Sequence, residues 1–250
     1  MAELDRRYAQ DQTVGRADTT VDQGLRAYMI RVYNYMASGV AITGVVAYLV
    51  YAISFVETAT GIQPTSIGQF LFAGPFMWVV IFAPLGFVFY ISARINSMSV
   101  GTAQTLFWIF SALMGASLAS IFVVYAGESI ARVFFITAAA FGALSLWGYT
   151  TNKDLTGWGS FLFMGLIGVI IAMLVNLFIG STALQFAISV IGVLVFAGLT
   201  AYDTQQIKEM YYAGDDGTVT GRKAVMGALR LYLDFINLFL LLLQLFGNRR

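Results

Sequence analysis

Two aspartates lie within or at the edge of the last two apolar stretches of this 250-residue chain, Asp203 in AYDTQQIK and Asp234 in LYLDFINLF. An ionised side chain at bilayer depth costs about 2.5–3.5 kcal/mol on insertion scales, so a carboxylate kept there marks a functional site by default. Two carboxylates within about 4–6 Å of each other cannot both ionise cheaply; they share a proton and titrate as a pair. On a helix through the last stretch, Arg230, Asp234 and Asn237 are spaced to occupy one face. That face reads in two ways, as an Arg230–Asp234 pair that only eases insertion or as polar groups gathered at a site. Asp203, followed by Thr204, Gln205, Gln206 and Lys208, is likewise either a helix emerging into water or the partner of Asp234 on a neighbouring helix. Asp203 and Asp234, helped by Asn237, Gln205 or backbone carbonyls, offer oxygen ligands only, a set that suits a hard cation held weakly.

These residues need elements to position them, and composition says which. The chain is 59% hydrophobic and 11% charged, a balance that no water-soluble domain of this size carries on its surface. Six stretches without Asp, Glu, Lys or Arg approach or reach the length that crosses a hydrocarbon core of about 30 Å: Tyr33 to Phe55, Phe70 to Ile91, Thr105 to Tyr125, Val133 to Tyr149, Trp158 to Ile179 and Thr182 to Tyr202. A seventh, Val225 to Phe246, contains Arg230 and Asp234. Runs this long are helices and not membrane strands, so the expected fold is an all-α, seven-helix transmembrane bundle in a lipid bilayer. Residues 1–31 form an expected cytoplasmic N-terminal tail, residues 32–247 the transmembrane domain and residues 248–250 a C-terminal tip.

Charge and absences narrow the chemistry. Fourteen basic residues against thirteen acidic ones leave a net charge of +1, with no basic face for nucleic acid. Without histidine or cysteine the usual zinc, copper, haem and Fe–S ligand sets are gone, and no tightly bound cofactor is expected. Any response to pH then falls to carboxylates or coupled charges. No apolar signal-peptide core or Arg-rich transit peptide opens the chain, and Ala2 stands where N-myristoylation requires glycine.

Walking the loops from Arg6, Arg7, Arg16, Arg26 and Arg31 places Arg94, Lys153, Lys208, Arg222 and Lys223 on the same side, the cytoplasm by the positive-inside rule. Arg132, beside Glu128, is the exception, to be accommodated by an ion pair or snorkelling. The seventh stretch either spans and leaves Arg249 and Arg250 outside, or is re-entrant. The segment with GDDGTVTG reads as a loop; its acids lack the alternating spacing of an EF-hand. Small residues at four-residue spacing, Ala112, Ala116 and Ser120 or Ala139 and Ala143, are expected at close helix contacts, and Pro75 and Pro84 are expected to kink the second helix.

AYDTQQIK, followed by ALRLYLDFINLFLLLLQLFG near the carboxyl end of a seven-segment chain, resembles the Bax inhibitor-1 family, the transmembrane Bax inhibitor motif proteins with bacterial YccA- and YetJ-type members. The resemblance in helix count and spacing extends over roughly residues 30–247. It implies six helices around a central C-terminal one, and a pH-sensitive calcium leak gated by paired aspartates, here Asp203 and Asp234, with Arg94 in FYISARINSM as a latch to them. It implies also a multi-pass protein of a bacterial inner membrane, with Ca²⁺ and protons as its ions. The alternative is a regulatory protein that binds membrane proteases or cell-death and stress factors without conducting ions. An enzyme is not expected: the YD of Tyr202 and Asp203 is similar to that of presenilin-like proteases, but their second aspartate sits in GxGD, whereas Asp234 sits in LYLD.

Overall fold

The computed structural model describes residues 23–59 and 61–250 with their side chains; the part of the expected tail before Gln23 lies outside them. In hydrocarbon every backbone N–H and C=O must be satisfied within its own segment, so the apolar stretches close into helices. Seven of them are long and apolar enough to cross a membrane. They are α1 (Ala2–Ser54), α3 (Phe76–Arg94), α4 (Val100–Leu118), α6 (Gly127–Thr150), α7 (Thr156–Ile179), α8 (Thr182–Glu209) and α9 (Gly217–Phe246). Between them lie a hairpin of β1 (Phe55–Thr58) and β2 (Gly61–Pro64) and two short helices, α2 (Ser66–Phe72) and α5 (Ile121–Val124).

Several helix ends follow from local chemistry. Ser99, Ser181 and Asp216 cap α4, α8 and α9 by accepting backbone N–H groups of the first turn. Gly180, at φ 67°, closes α7 in the left-handed conformation that glycine adopts without a Cβ penalty. The paired acids of GDDG therefore start a helix: Asp216 Oδ1 accepts from Thr218 and Val219, and Asp215 pairs with Lys223. The second apolar stretch is not one helix from Phe70. Gly74 and Pro75 interrupt it, ending α2 at Phe72 and starting α3 at Phe76, because proline has no N–H to continue the ladder but suits a helix start. Pro84 stays inside α3. The expected tail is shorter than residues 1–31, since Tyr28 and Met29 are buried and the Tyr28 ring lies 5.6 Å from that of Tyr211.

Helix α9 is the axis. Of the residues in its most apolar stretch 72% are buried, against 11–33% in the other six helices. Around it, α1 and α3 pack on α4 while α6 and α7 pack on α8, giving two three-helix groups that clasp α9. The helix runs the full height of the bundle. At its start Arg222 donates to the carbonyls of Met98 (2.6 Å) and Asn96 (2.7 Å) in the α3–α4 connection. Its end reaches the opposite face, where Asn248 N–H donates to Ser129 Oγ and Arg250 pairs with Glu57 of β1 at 2.7 Å. The last segment is therefore spanning, not re-entrant, and its basic tip is partnered. Arg132 and Glu128, by contrast, make no ion pair among the described residues.

Close helix contacts fall at glycines more than at the expected alanines. Ala139 and Ala143 face outward, whereas a Cβ at Gly115 would lie 2.6 Å from the Thr43 carbonyl oxygen and one at Gly148 would overlap that of Ala201. Gly148→Ala should therefore cost about 1–3 kcal/mol, read as a lowered unfolding temperature in detergent. Gly142→Ala on the same helix meets nothing within 4 Å and should lose none.

Candidate functional site

The site is set by how α8 lies on α9. Gly227 of α9 receives Ile207, and Gly192 of α8 receives Leu241. The two helices thus run antiparallel in a register that puts Asp203 within a turn of Asp234. Helix α8 continues to Glu209, so Asp203 sits inside a helix and half-buried rather than at a solvent-facing end. Asp234 is 5% exposed. The two carboxyl groups face one another across the α8–α9 contact, close enough for each to act on the other electrostatically. The second oxygen of Asp234, Oδ2, is buried with no hydrogen-bond partner, an unusual state for a polar atom in a folded interior.

Arg230, Asp234 and Asn237 share a face, as their spacing predicts, and that face lines a cleft of about 740 Å³ bounded by α7, α8, α9 and Leu85 of α3. Arg230 is exposed and acts electrostatically on both acids without closing an ion pair with either. The local Arg230–Asp234 pair is thus replaced by one cation facing two acids. Asn237 spends its amide N–H on the Leu233 carbonyl at 2.8 Å. Gly159 of α7 makes room for the Tyr202 ring on the opposite wall.

Two expected members stand elsewhere. Gln205 points away from the pair: its Oε1 accepts from Leu155 N–H at 2.8 Å and its Nε2 donates to the Lys153 carbonyl at 2.8 Å, tying the α6–α7 connection to α8. Arg94 is exposed on the last turn of α3 and pairs with neither acid in this arrangement. No group of three or more acids, histidines or cysteines occurs among the described residues, so an ion in the cleft would meet two carboxyls and neutral oxygens.

Sequence reasoning passed over two hydroxyl clusters. Tyr33 Oη, Ser145 Oγ and Thr204 Oγ1 form a chain with steps of 2.8 Å between α1, α6 and α8. Fully buried Tyr232 of α9 bonds Thr43 of α1 at 2.6 Å, and Thr43 bonds the Ser111 carbonyl of α4. Isolated hydroxyls within apolar runs were the available signal, because such groups bond across helices in a membrane.

The family model for Inhibitor of apoptosis-promoting Bax1 matches residues 25–250. The chain belongs to the Bax inhibitor-1 family. It is 47% identical to protein RP147 of Rickettsia prowazekii over 97% of this chain and 98% of that one. It is 46% identical to the inner membrane protein YbhL of Escherichia coli strain K12 over 94% and 98% of the two chains, and 45% identical to a Caulobacter vibrioides protein over the whole of both. This Bax inhibitor-1 family member is a multi-pass membrane protein built as an all-α bundle around its last helix.

Replacing Gln205 with alanine would leave the Leu155 N–H and Lys153 carbonyl unpaired on the far side of α8. The expected cost is about 1–3 kcal/mol, measured as thermal unfolding in detergent, with the Asp203–Asp234 contact intact.

Proposed function

We propose that this protein is a pH-sensitive calcium leak channel in which Asp203 and Asp234 are both the gate and the weak site for the passing ion. The observation that carries the reading is the buried Asp234 of the central helix, which faces Asp203 of α8 and has one carboxyl oxygen without a hydrogen-bond partner among the described residues. Such a pair has no packing purpose that an asparagine or leucine would not serve better. It opens instead on a cleft that also holds Arg230 and Asn237. Ca²⁺ is the permeant substrate, met by oxygen ligands alone and held loosely enough to move on.

Gating follows from charge. A guanidinium close to the acids holds them as anions and helps close the cleft, and protonation loosens that grip. Arg230 is the cation facing the pair in this arrangement, while Arg94 takes the latch role when the end of α3 tilts inward about Gly74 and Pro75. Flux therefore rises as pH falls. We place the protein in a bacterial inner membrane with its N-terminus cytoplasmic. Support comes from the name of the YbhL relative and from Arg94, Lys153, Lys208, Arg222 and Lys223 on the face where α1 begins.

The test is calcium influx into liposomes loaded with an indicator, recorded from about pH 6 to about pH 8. Wild type should conduct more at the acid end, and Asp203→Asn and Asp234→Asn should lose the pH dependence. Arg94→Gln should raise flux at the alkaline end if the latch operates there; an unchanged curve assigns closure to Arg230, with Arg230→Gln as the matching variant. Folded protein with no flux above empty liposomes sinks the channel and leaves a regulatory protein that acts by binding membrane proteases or stress factors.

A further inference from the structure

The two three-helix groups meet along two seams. One is the acidic cleft toward α3 and α7; the other, between α1 and α6, is a groove of about 850 Å³ on the opposite side of α9. Its floor is Phe235 of α9, and Phe141 and Met36 form parts of its walls. Its polar side-chain groups within the bundle are the hydroxyls of Tyr33, Ser145 and Tyr149; the first two bond one another at 2.8 Å, and Ser145 bonds Thr204 in turn. A groove with its deep hydroxyls already paired offers little that a water column needs and suits an apolar occupant.

One end carries Arg26, exposed and without an ion pair among the described residues. Depth fixes what this cation meets. From Arg26 to Ser54, where the β hairpin begins, α1 extends about 42 Å at about 1.5 Å per residue, close to the thickness of a bilayer with its headgroups, about 40–45 Å. With the hairpin at one surface, Arg26 stands among the headgroups of the other. From Arg26 to Ala41, the far end of the groove on α1, is about 22 Å, more than the roughly 15 Å of one leaflet's hydrocarbon.

We propose that the α1–α6 groove is a binding site for a single anionic phospholipid, one acyl chain lying along Tyr33, Ser145 and Phe235 and the phosphate-bearing headgroup held by Arg26. Annular lipid touches a convex helix surface and exchanges freely. A chain in this groove has protein on its two sides and beneath it, and its headgroup meets a charge at the depth where phosphates lie. The site is separate from the acidic cleft and stands whether or not the protein conducts ions.

Gly142, which lines the groove, supplies the test, because a Cβ there meets no protein atom within 4 Å and the ring of Gly142→Phe enters the groove from that open position. Purified protein is exchanged into micelles containing phosphatidylglycerol and phosphatidylcholine with identical chains, and retained lipid is counted by native mass spectrometry. Wild type should keep one phosphatidylglycerol, Gly142→Phe should lose it, and Arg26→Gln should prefer phosphatidylglycerol about fivefold less, the share of one surface cation. Equal retention by wild type and Gly142→Phe, or no phosphatidylglycerol retained by wild type, overturns the proposal. Unfolding of the wild type gives a readout independent of either variant: added phosphatidylglycerol should raise its midpoint more than phosphatidylcholine, and equal shifts overturn the headgroup assignment.

Discussion

Burial of Asp234 is the constraint on which the architecture depends. A helix that carries a carboxyl group mid-way along its apolar length cannot present that face to lipid, where no polar group would meet it. Helix α9 must be enclosed, and the other six helices enclose it as two groups, one built on α4 and the other on α8. The glycines where helices nearly touch, Gly115 against α1, Gly148 against α8 and Gly227 against Ile207, allow the approach that makes the enclosure tight. Tyr232 anchors one group through Thr43, and Asp203 meets Asp234 from the other. Clasping one cylinder with two groups leaves two seams, which is why the acidic cleft and the apolar groove lie on either side of α9.

Helix number and order were legible because hydrocarbon leaves a chain few choices: an uncharged run of the right length becomes a helix. Helix ends were not legible on the same terms. Reading each span up to its first charged residue stops α8 at Tyr202, yet the helix continues through Asp203 to Glu209, since the ladder propagates until something caps or breaks it. The same error hides the break at Gly74 and Pro75 within an unbroken apolar run. Arg249 and Arg250 argued against a crossing on charge alone. The structure supplies what charge counting lacks, a Glu57 partner for Arg250 and the Tyr125 ring, 5.9 Å from the Arg249 guanidinium.

At the site, legibility tracked energetic cost. The aspartates stood out because their burial is expensive, and helical spacing accounts for Arg230 and Asn237 lining the same cleft as Asp234. Gln205 misled because it is adjacent in sequence to the site while facing another way; 100° per residue separates neighbours on a helix. Serine, threonine and tyrosine cost little in an apolar run, so the hydroxyls of Tyr33, Ser145 and Thr204 gave no comparable signal, although they bridge three helices.

Three consecutive residues of α8 therefore do three different jobs. Asp203 faces the acidic cleft, Thr204 holds Ser145 and through it Tyr33 at the apolar groove, and Gln205 clamps the α6–α7 connection. A helical turn is stiff, so a change in what Asp203 holds cannot displace its backbone without pulling on Thr204 and Gln205 as well. The threonine hydroxyl also bonds back to the Thr200 carbonyl at 2.7 Å, which fixes its direction. A change at Asp203 is thus mechanically joined to the opposite seam through one turn of α8, a helix that also packs directly on α1.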